Sequence, residues 1–256
     1  KDRILKQHFP TAVFCGFFAF AAVTAAGAQS IPERTAVEAI AGLDHRTSDL
    51  FLDTGSAGAG IRAGVLLGSN FRLLAGLSRD FSRLFEEKER RDGTDRRTSY
   101  SLTAAWDIGR AHEVSLGYLY NRYELAWQAA PGLRTIGESE SVSLDYSHFA
   151  DWGQAGIGVT EILGNGSDPF LRVNGEYKLA GLGGQTEFYA LGGAYGAVDE
   201  DDKGFSLGLR AKMPKGYNLY ASAGRSYFSS GGDSTGFSLA LVKSFGANAE
   251  RIFRRH

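Results

Sequence analysis

Residues 203–245 contain three short runs in which apolar residues alternate with polar or small ones, and they constrain the fold more than any other feature of this sequence. Phe205 and Leu207 begin the apolar face of the first run, and further runs cover 217–228 and 235–245. A period of two residues is that of a β-strand, whose successive side chains point to opposite faces. The apolar face packs against either a soluble core or lipid, and the rest of the chain must distinguish these two cases.

Residues 1–28 have the pattern of an export signal. Basic residues come first, an apolar stretch covers 11–25, and Ala26-Gly27-Ala28 supplies the small residues of a cleavage site. The apolar stretch is shorter than the ~20 residues of a membrane-spanning helix, so we predict cleavage rather than a retained anchor. The single cysteine, Cys15, lies inside this segment, so no disulfide is expected in the exported protein.

The remaining residues, 29–256, are predicted to form one all-β domain with strands between about 35 and 245 and a short tail over 246–256. The ninth alternating run assigns Tyr189, Leu191 and Tyr195 to the apolar, outward face. Twelve such runs are predicted, near 35–46, 57–68, 70–84, 96–107, 112–126, 138–149, 154–163, 169–180, 185–197, 204–213, 217–228 and 235–245.

The connections between the runs alternate in length. Short turns are predicted at 68–70, 108–112, 150–153, 181–184 and 214–216. Longer or more polar connections fall between them, including 44–56, 85–97 and 127–138. Short turns at one end and loops at the other are typical of an antiparallel up-and-down barrel in an outer membrane, where the turns are periplasmic. An even number of strands brings both ends of the barrel domain to the periplasmic side.

Aromatic residues cluster near both ends of the runs, as expected of a barrel whose surface crosses two membrane interfaces. The candidates at the short-turn end are Phe71, Trp106, Trp152, Tyr217 and Phe245, and those at the loop end are Trp127, Phe170 and Tyr227.

On these patterns, residues 35–245 resemble Gram-negative outer-membrane β-barrels of the porin-like kind. The resemblance implies an outer-membrane location after export and a last strand whose terminal aromatic is read by the barrel insertion machinery, a role that falls to Phe245. Two features depart from this pattern: eleven residues follow Phe245, and Lys243 holds an outward position that is usually aromatic. The few residues between the predicted cleavage site and the first run lead us to expect neither an autotransporter passenger nor a plug domain before the barrel.

The inward faces carry mixed charges, which in a porin-like channel select small polar solutes during passive diffusion. The same charges can instead pair with one another and fill a narrow lumen, because twelve strands lie between filled eight-stranded barrels and open sixteen-stranded ones. Both interpretations stay open. The pore-lining candidates are Glu38, Arg62, Arg72, Asp80, Asp145, Arg172, Asn174, Glu176, Lys178, Arg210 and Lys212.

Catalysis is not expected, and neither a cofactor nor a metal is predicted. A lipid-modifying enzyme is the weaker alternative, because the tight Ser147-His148 pair would place its two side chains on opposite faces of a strand. A surface-binding barrel is the other alternative, since arginines in the charged stretch 86–97 suit lipopolysaccharide phosphates. Outer-membrane lipid is the expected surrounding, and the net charge of −1 offers no basic face for nucleic acid.

Overall fold

A closed ring of twelve antiparallel strands forms the fold. The computed structural model describes residues 32–48, 53–86, 91–127, 134–164, 168–179, 185–198 and 201–253, so the predicted export signal lies outside the described residues. Each strand pairs with its neighbours in sequence, and β1 pairs with β12 to close the barrel. The strands are β1 (Thr35–Ser48), β2 (Asp53–Leu67), β3 (Phe71–Glu86), β4 (Arg91–Ile108), β5 (His112–Trp127), β6 (Arg134–Ala150), β7 (Gly153–Leu163), β8 (Phe170–Leu179), β9 (Glu187–Ala197), β10 (Lys203–Met213), β11 (Tyr217–Tyr227) and β12 (Asp233–Phe245).

The outer surface is an apolar band, and this confirms the predicted all-β transmembrane fold. Leu102, Leu144, Leu207 and Phe237 lie on four separate strands, and each exposes more than half of its surface outward. Soluble monomers rarely expose a continuous apolar surface of this extent, whereas a barrel in lipid requires one. The described residues include no helix that is both long and apolar enough to span a membrane.

The predicted loop 85–97 is wrong in most of its length. β3 continues to Glu86 and β4 begins at Arg91, and the two strands stay paired out to this hairpin. The predicted loop 44–56 is likewise shortened to the gap between β1 and β2. Pairing of backbone groups continues outside a membrane because it needs no apolar face, so the end of the hydrophobic alternation does not mark the end of a strand.

The face assigned to β9 from the sequence is also wrong. Tyr189 pairs in register with Lys178 and Arg210, and Tyr195 pairs with Arg172, all of which face the lumen. The outward positions of β9 are instead filled by Phe188 and by alanine and glycine residues. The rule that larger apolar residues face lipid fails here because the Tyr189 ring packs against lumenal Arg210 and the Tyr195 ring packs against lumenal Phe170.

One short helix, α1 (Ala249–Ile252), follows the last strand. The chain turns at Gly246, whose φ of +105° is a conformation that favours glycine and whose added Cβ would lie 2.8 Å from the carbonyl oxygen of Thr35. Residues 246–253, which we name the lumenal segment, then run inside the barrel. They lie at the short-turn end, where β1 begins and β12 ends.

Candidate functional site

The barrel lumen is the candidate site, and register pairing places all eleven predicted pore-lining residues on its wall. Asp80, Asp145, Arg172 and Asn174 lie in the middle and upper part, toward the loop end. The other seven lie in the half nearer the short turns, where they join ion pairs or contact the lumenal segment: Glu38, Arg62, Arg72, Glu176, Lys178, Arg210 and Lys212.

Arg72 is the centre of a buried charge cluster at the short-turn end. Its side chain is fully buried, and its Nη2 donates to Asp107 at 2.8 Å and to Glu113. Its Nη1 donates to the carbonyl oxygen of Arg251 at 2.8 Å. Both carboxylates are almost completely buried. A buried arginine needs such partners, because an uncompensated charge in a low-dielectric interior is costly.

A second cluster occupies nearly the opposite wall, on β8 to β10. Arg210 forms an ion pair with Glu176 at 2.8 Å, and its guanidinium lies 4.1 Å from the centre of the Tyr189 ring. Tyr189 donates its hydroxyl to Glu187 at 2.9 Å, and Glu187 in turn forms an ion pair with Lys178. Arg210 and Glu176 are therefore withdrawn from solutes, whereas the pair of Lys178 and Glu187 stays partly exposed.

The lumenal segment supplies the apolar core of the described barrel interior. Ile252 is fully buried and Phe253 is 7% exposed, and both pack against inward-facing Leu66 and Leu74. Burial of each large side chain stabilises the packed state by about 1.5–3 kcal/mol. Arg62 also lies over the Phe253 ring, 5.0 Å from its centre. Two inward leucines in a polar lumen are therefore explained by the segment that covers them.

Polar contacts tie the same segment to several parts of the wall. Glu250 forms an ion pair with Lys212 on β10, and Arg251 donates to the carbonyl oxygen of Ser69 in the turn after β2. Asn248 donates its amide to the carbonyl oxygen of Glu33 at 2.6 Å. The turn after β2 leads into β3, which stands five strands from β10 in the ring of twelve, so the segment reaches across much of the lumen.

The loop-end half of the lumen is open, and its wall mixes small residues with apolar and charged ones. Two adjoining cavities of about 640 and 430 Å³ share Asp44 and Ser238 on their walls. Glycine and serine are the commonest residues of the remaining lining, which also includes Ile40, Leu119 and Ile162. The smaller cavity is bordered by Gly42, Ser56, Gly58, Gly60, Ser78, Ser99 and Ser101 among others.

Charge and aromatic groups meet in the larger cavity. Arg172 and Asp145 form a bidentate ion pair at 2.6 Å whose side chains stay partly exposed. The rings of Phe170 and Tyr195 pack edge to face at 6.4 Å on the same wall. Phe170 is therefore a lumenal residue and not the membrane-interface aromatic that the sequence predicted, because its position in β8 has the same parity as Arg172.

Six of the eight predicted interface aromatics lie on the outside of the barrel. Trp127 does not, because it pairs with Gly93 on the inward face of the β4–β5 extension. Phe71 and Trp106 are direct cross-strand partners, and Trp106 is 60% exposed. The others on the outside are Trp152, Tyr217, Tyr227 and Phe245.

Lys243 faces outward, as expected, but it is held in place by neighbours. Its ammonium lies 4.3 Å from the centre of the Tyr217 ring and 5.2 Å from that of Phe245, and it donates to the carbonyl oxygen of Lys215. These contacts keep the charge at the membrane edge, where a lysine costs only about 0–1 kcal/mol.

The side chains of Ser147 and His148 point to opposite faces of β6. Ser147 lies beside Gly156 on the lumenal side, whereas the His148 ring contacts His112 and Trp152 outside. Within the described residues, no three His, Cys, Asp or Glu side chains are grouped so that they could hold a metal ion.

The sequence does not identify several of the residues that form the lumenal site. Asp107 and Glu113 flank the turn between β4 and β5, and nothing local indicates that they meet Arg72. The sequence predicts only a short tail over residues 246–256 and assigns it no role. The sequence feature that indicates an apolar segment inside the barrel is the pair of leucines, Leu66 and Leu74, at inward-facing positions.

The fold is that of outer-membrane β-barrels. An outer membrane channel from Pseudomonas putida F1 superposes with a TM-score of 0.57 at 12% identity, covering 85% of this chain and 97% of that one. The translocator domain of the autotransporter NalP from Neisseria meningitidis gives 0.51 at 13% identity, covering 90% and 95%. The CymD monoaromatic hydrocarbon channel gives 0.50 at 10% identity, covering 84% and 90%.

No family model matches this sequence, and the search of curated proteins gave no match. Identities this low show the fold alone, so function must be argued from the lumen of this chain.

Proposed function

We propose that this protein is a channel in the outer membrane of a Gram-negative bacterium, through which small polar solutes diffuse passively. The observation that carries the proposal is the open upper lumen, with its two adjoining cavities of about 640 and 430 Å³ and its glycine and serine lining. The serine hydroxyls in this wall offer hydrogen-bond partners to hydrated solutes, and the glycines leave the passage unfilled.

The partly exposed pair of Arg172 and Asp145 is the proposed selectivity element. Arg172 lines the larger cavity and Asp145 is paired with it, so together they place a local dipole at the wall that a passing ion meets. Arg210 is unsuited to this role, because it is 6% exposed and its contacts with Glu176 and Tyr189 hold it in place.

The test is single-channel conductance of the folded barrel in a planar bilayer. Folding is first checked by the shift in gel migration between unheated and boiled samples. Stepwise conductance is the expected result. A folded barrel that stays silent, even after deletion of residues 247–256, would overturn the proposal.

A barrel that conducts nothing and serves at the surface is the second candidate. The observation that favours it is the lumenal segment, which packs against the wall at the short-turn end through Ile252 and Phe253. The same conductance measurement separates the two candidates.

Lipopolysaccharide is a proposed partner of the outer face. Arg79, Arg96 and Arg122 are exposed on neighbouring strands β3 to β5, just beyond the paired rings of Tyr100 and Tyr120. Diagonal neighbours on one sheet face lie within reach of a common ligand. Carboxylates are also near: Glu124 stands opposite Arg96 but forms an ion pair with Arg134, and Glu138 stands opposite Arg122.

We also propose that the barrel has no catalytic role. The opposite directions of Ser147 and His148 support this, because a nucleophile and its base must lie within hydrogen-bond reach. A lipid-hydrolysis assay tests the point. Activity that depends on His148 would overturn it.

A further inference from the structure

We propose that the lumenal segment is a built-in gate. It closes the short-turn mouth of the channel when it is bound to the barrel wall beside Gly64, Leu66 and Leu74, a site we name the seat, and it opens the mouth by leaving that site. This inference rests on the proposed channel function. It concerns residues 246–253, which follow the last strand and turn back into the barrel instead of leaving it.

The wall has a seat that fits this segment. Gly64 leaves the space in which Ile252 lies, since a Cβ at Gly64 would come within 2.3 Å of the Cγ2 atom of Ile252. Leu66 and Leu74 flank that space and make it apolar. Such an apolar site is unfavourable where it meets only water and ions, whereas the packed segment keeps it out of water.

The end of α1 is held by a cation from the barrel. Arg72 donates to the carbonyl oxygens of Arg251 and Ile252, at 2.8 and 3.4 Å. The last carbonyls of a helix have no partner within the helix, so a buried guanidinium both satisfies and anchors them. The position of the segment is therefore specified by directed hydrogen bonds as well as by packing.

The seat is built so that the barrel survives when the segment leaves. Arg72 keeps Asp107 and Glu113 as partners on the wall itself. The contacts that depend on the segment are all local, namely the apolar patch, the Arg62 cation over the Phe253 ring, the exposed ion pair of Lys212 with Glu250, and hydrogen bonds with Arg72, Ser69 and Glu33. None of them pairs one strand with another, so the segment can leave without unfolding the barrel, as local elements open more often than the whole fold.

A reversible disulfide tests the gate directly. On a Cys15→Ser background, Gly64→Cys with Ile252→Cys is expected to form a disulfide, because a Cβ at position 64 would directly approach the side chain of residue 252 and the double change removes the branched side chain of Ile252. The matched control pairs Gly64→Cys with Glu250→Cys, whose side chain points toward Lys212 and is expected to stay reduced.

Conductance is then measured on the oxidised barrel, after reduction, and on a barrel lacking residues 247–256. The expected result is low conductance when locked and a several-fold increase after reduction or deletion. Equal disulfide formation in both cysteine pairs would overturn the seating of the segment. Equal conductance in the locked and reduced states would overturn the gate but leave the channel. Silence in all three states would overturn the channel itself, while the disulfide yield still reports the seating.

Discussion

Arg72 on β3 donates a hydrogen bond of 2.8 Å to the carbonyl oxygen of Arg251, which joins the wall of the barrel to the segment that follows its last strand. The same guanidinium is the counter-charge of two buried carboxylates, Asp107 and Glu113. One side chain thus links the stability of the barrel wall to the position of the lumenal segment.

Replacing Arg72 with Ala is expected to destabilise the barrel by about 3–5 kcal/mol, because Asp107 and Glu113 lose the cation that compensates their burial. Urea unfolding in lipid vesicles, followed by tryptophan fluorescence, measures the change. Arg172→Ala is the matched control, since the partly exposed pair with Asp145 is worth about 0–1 kcal/mol. Equal losses in the two variants would contradict the central role of Arg72.

Replacing the two members of the open pair is expected to shift ion selectivity in opposite directions. Arg172→Ala removes a positive charge from the upper lumen and favours cations, whereas Asp145→Asn favours anions. The permeability ratio is expected to change roughly twofold in each case, because water and salt screen a unit charge in an open lumen. Reversal potentials in a salt gradient measure it, and Arg83→Ala, whose pair with Asp92 lies on the outward face, is expected to change nothing.

Loss of the outer arginines is expected to weaken lipopolysaccharide binding. The triple variant Arg79→Ala, Arg96→Ala and Arg122→Ala removes three charge-assisted donors for phosphate. Binding of fluorescently labelled lipopolysaccharide to the folded barrel measures the effect, with dephosphorylated lipid as the ligand control. Arg83→Ala is the protein control, because Arg83 is already paired with Asp92 at 3.1 Å. Unchanged binding by the triple variant would refute the assignment.

The orientation of β9 is testable with a fluorescent label on single cysteines. Ala190→Cys is expected to carry the label into lipid, where brominated lipid quenches it, and Leu191→Cys is expected to carry it into the lumen, where it is protected. The two positions are adjacent, so they differ in face rather than in depth. Both variants use a Cys15→Ser background. The reverse quenching pattern would restore the face first assigned to Tyr189 and Tyr195.

The number of strands, their order and most of their faces followed from the sequence. Lipid demands an apolar side chain at every second position of a spanning strand, so residues such as Leu207 and Phe237 reveal their orientation locally. The alternation of apolar and polar residues indicates a strand only where one face meets lipid. The sequence therefore predicts a loop where β3 and β4 extend beyond the membrane toward Glu86 and Arg91.

The interior was decided by the tertiary structure. No periodicity tells which lumenal charges meet, and the pairing of Arg72 with Asp107, Glu113 and the Arg251 carbonyl joins parts of the chain that are far apart in sequence. Tyr189 faces inward although the alternation predicts that it faces lipid. Its ring packs against Arg210 and its hydroxyl donates to Glu187, and lipid tails can supply neither contact. The requirements of the surrounding membrane are uniform and repeat along the chain, so the pattern of residues is enough to predict the barrel. The contents of the lumen depend on pairwise contacts across the ring, so they become visible once the barrel is closed.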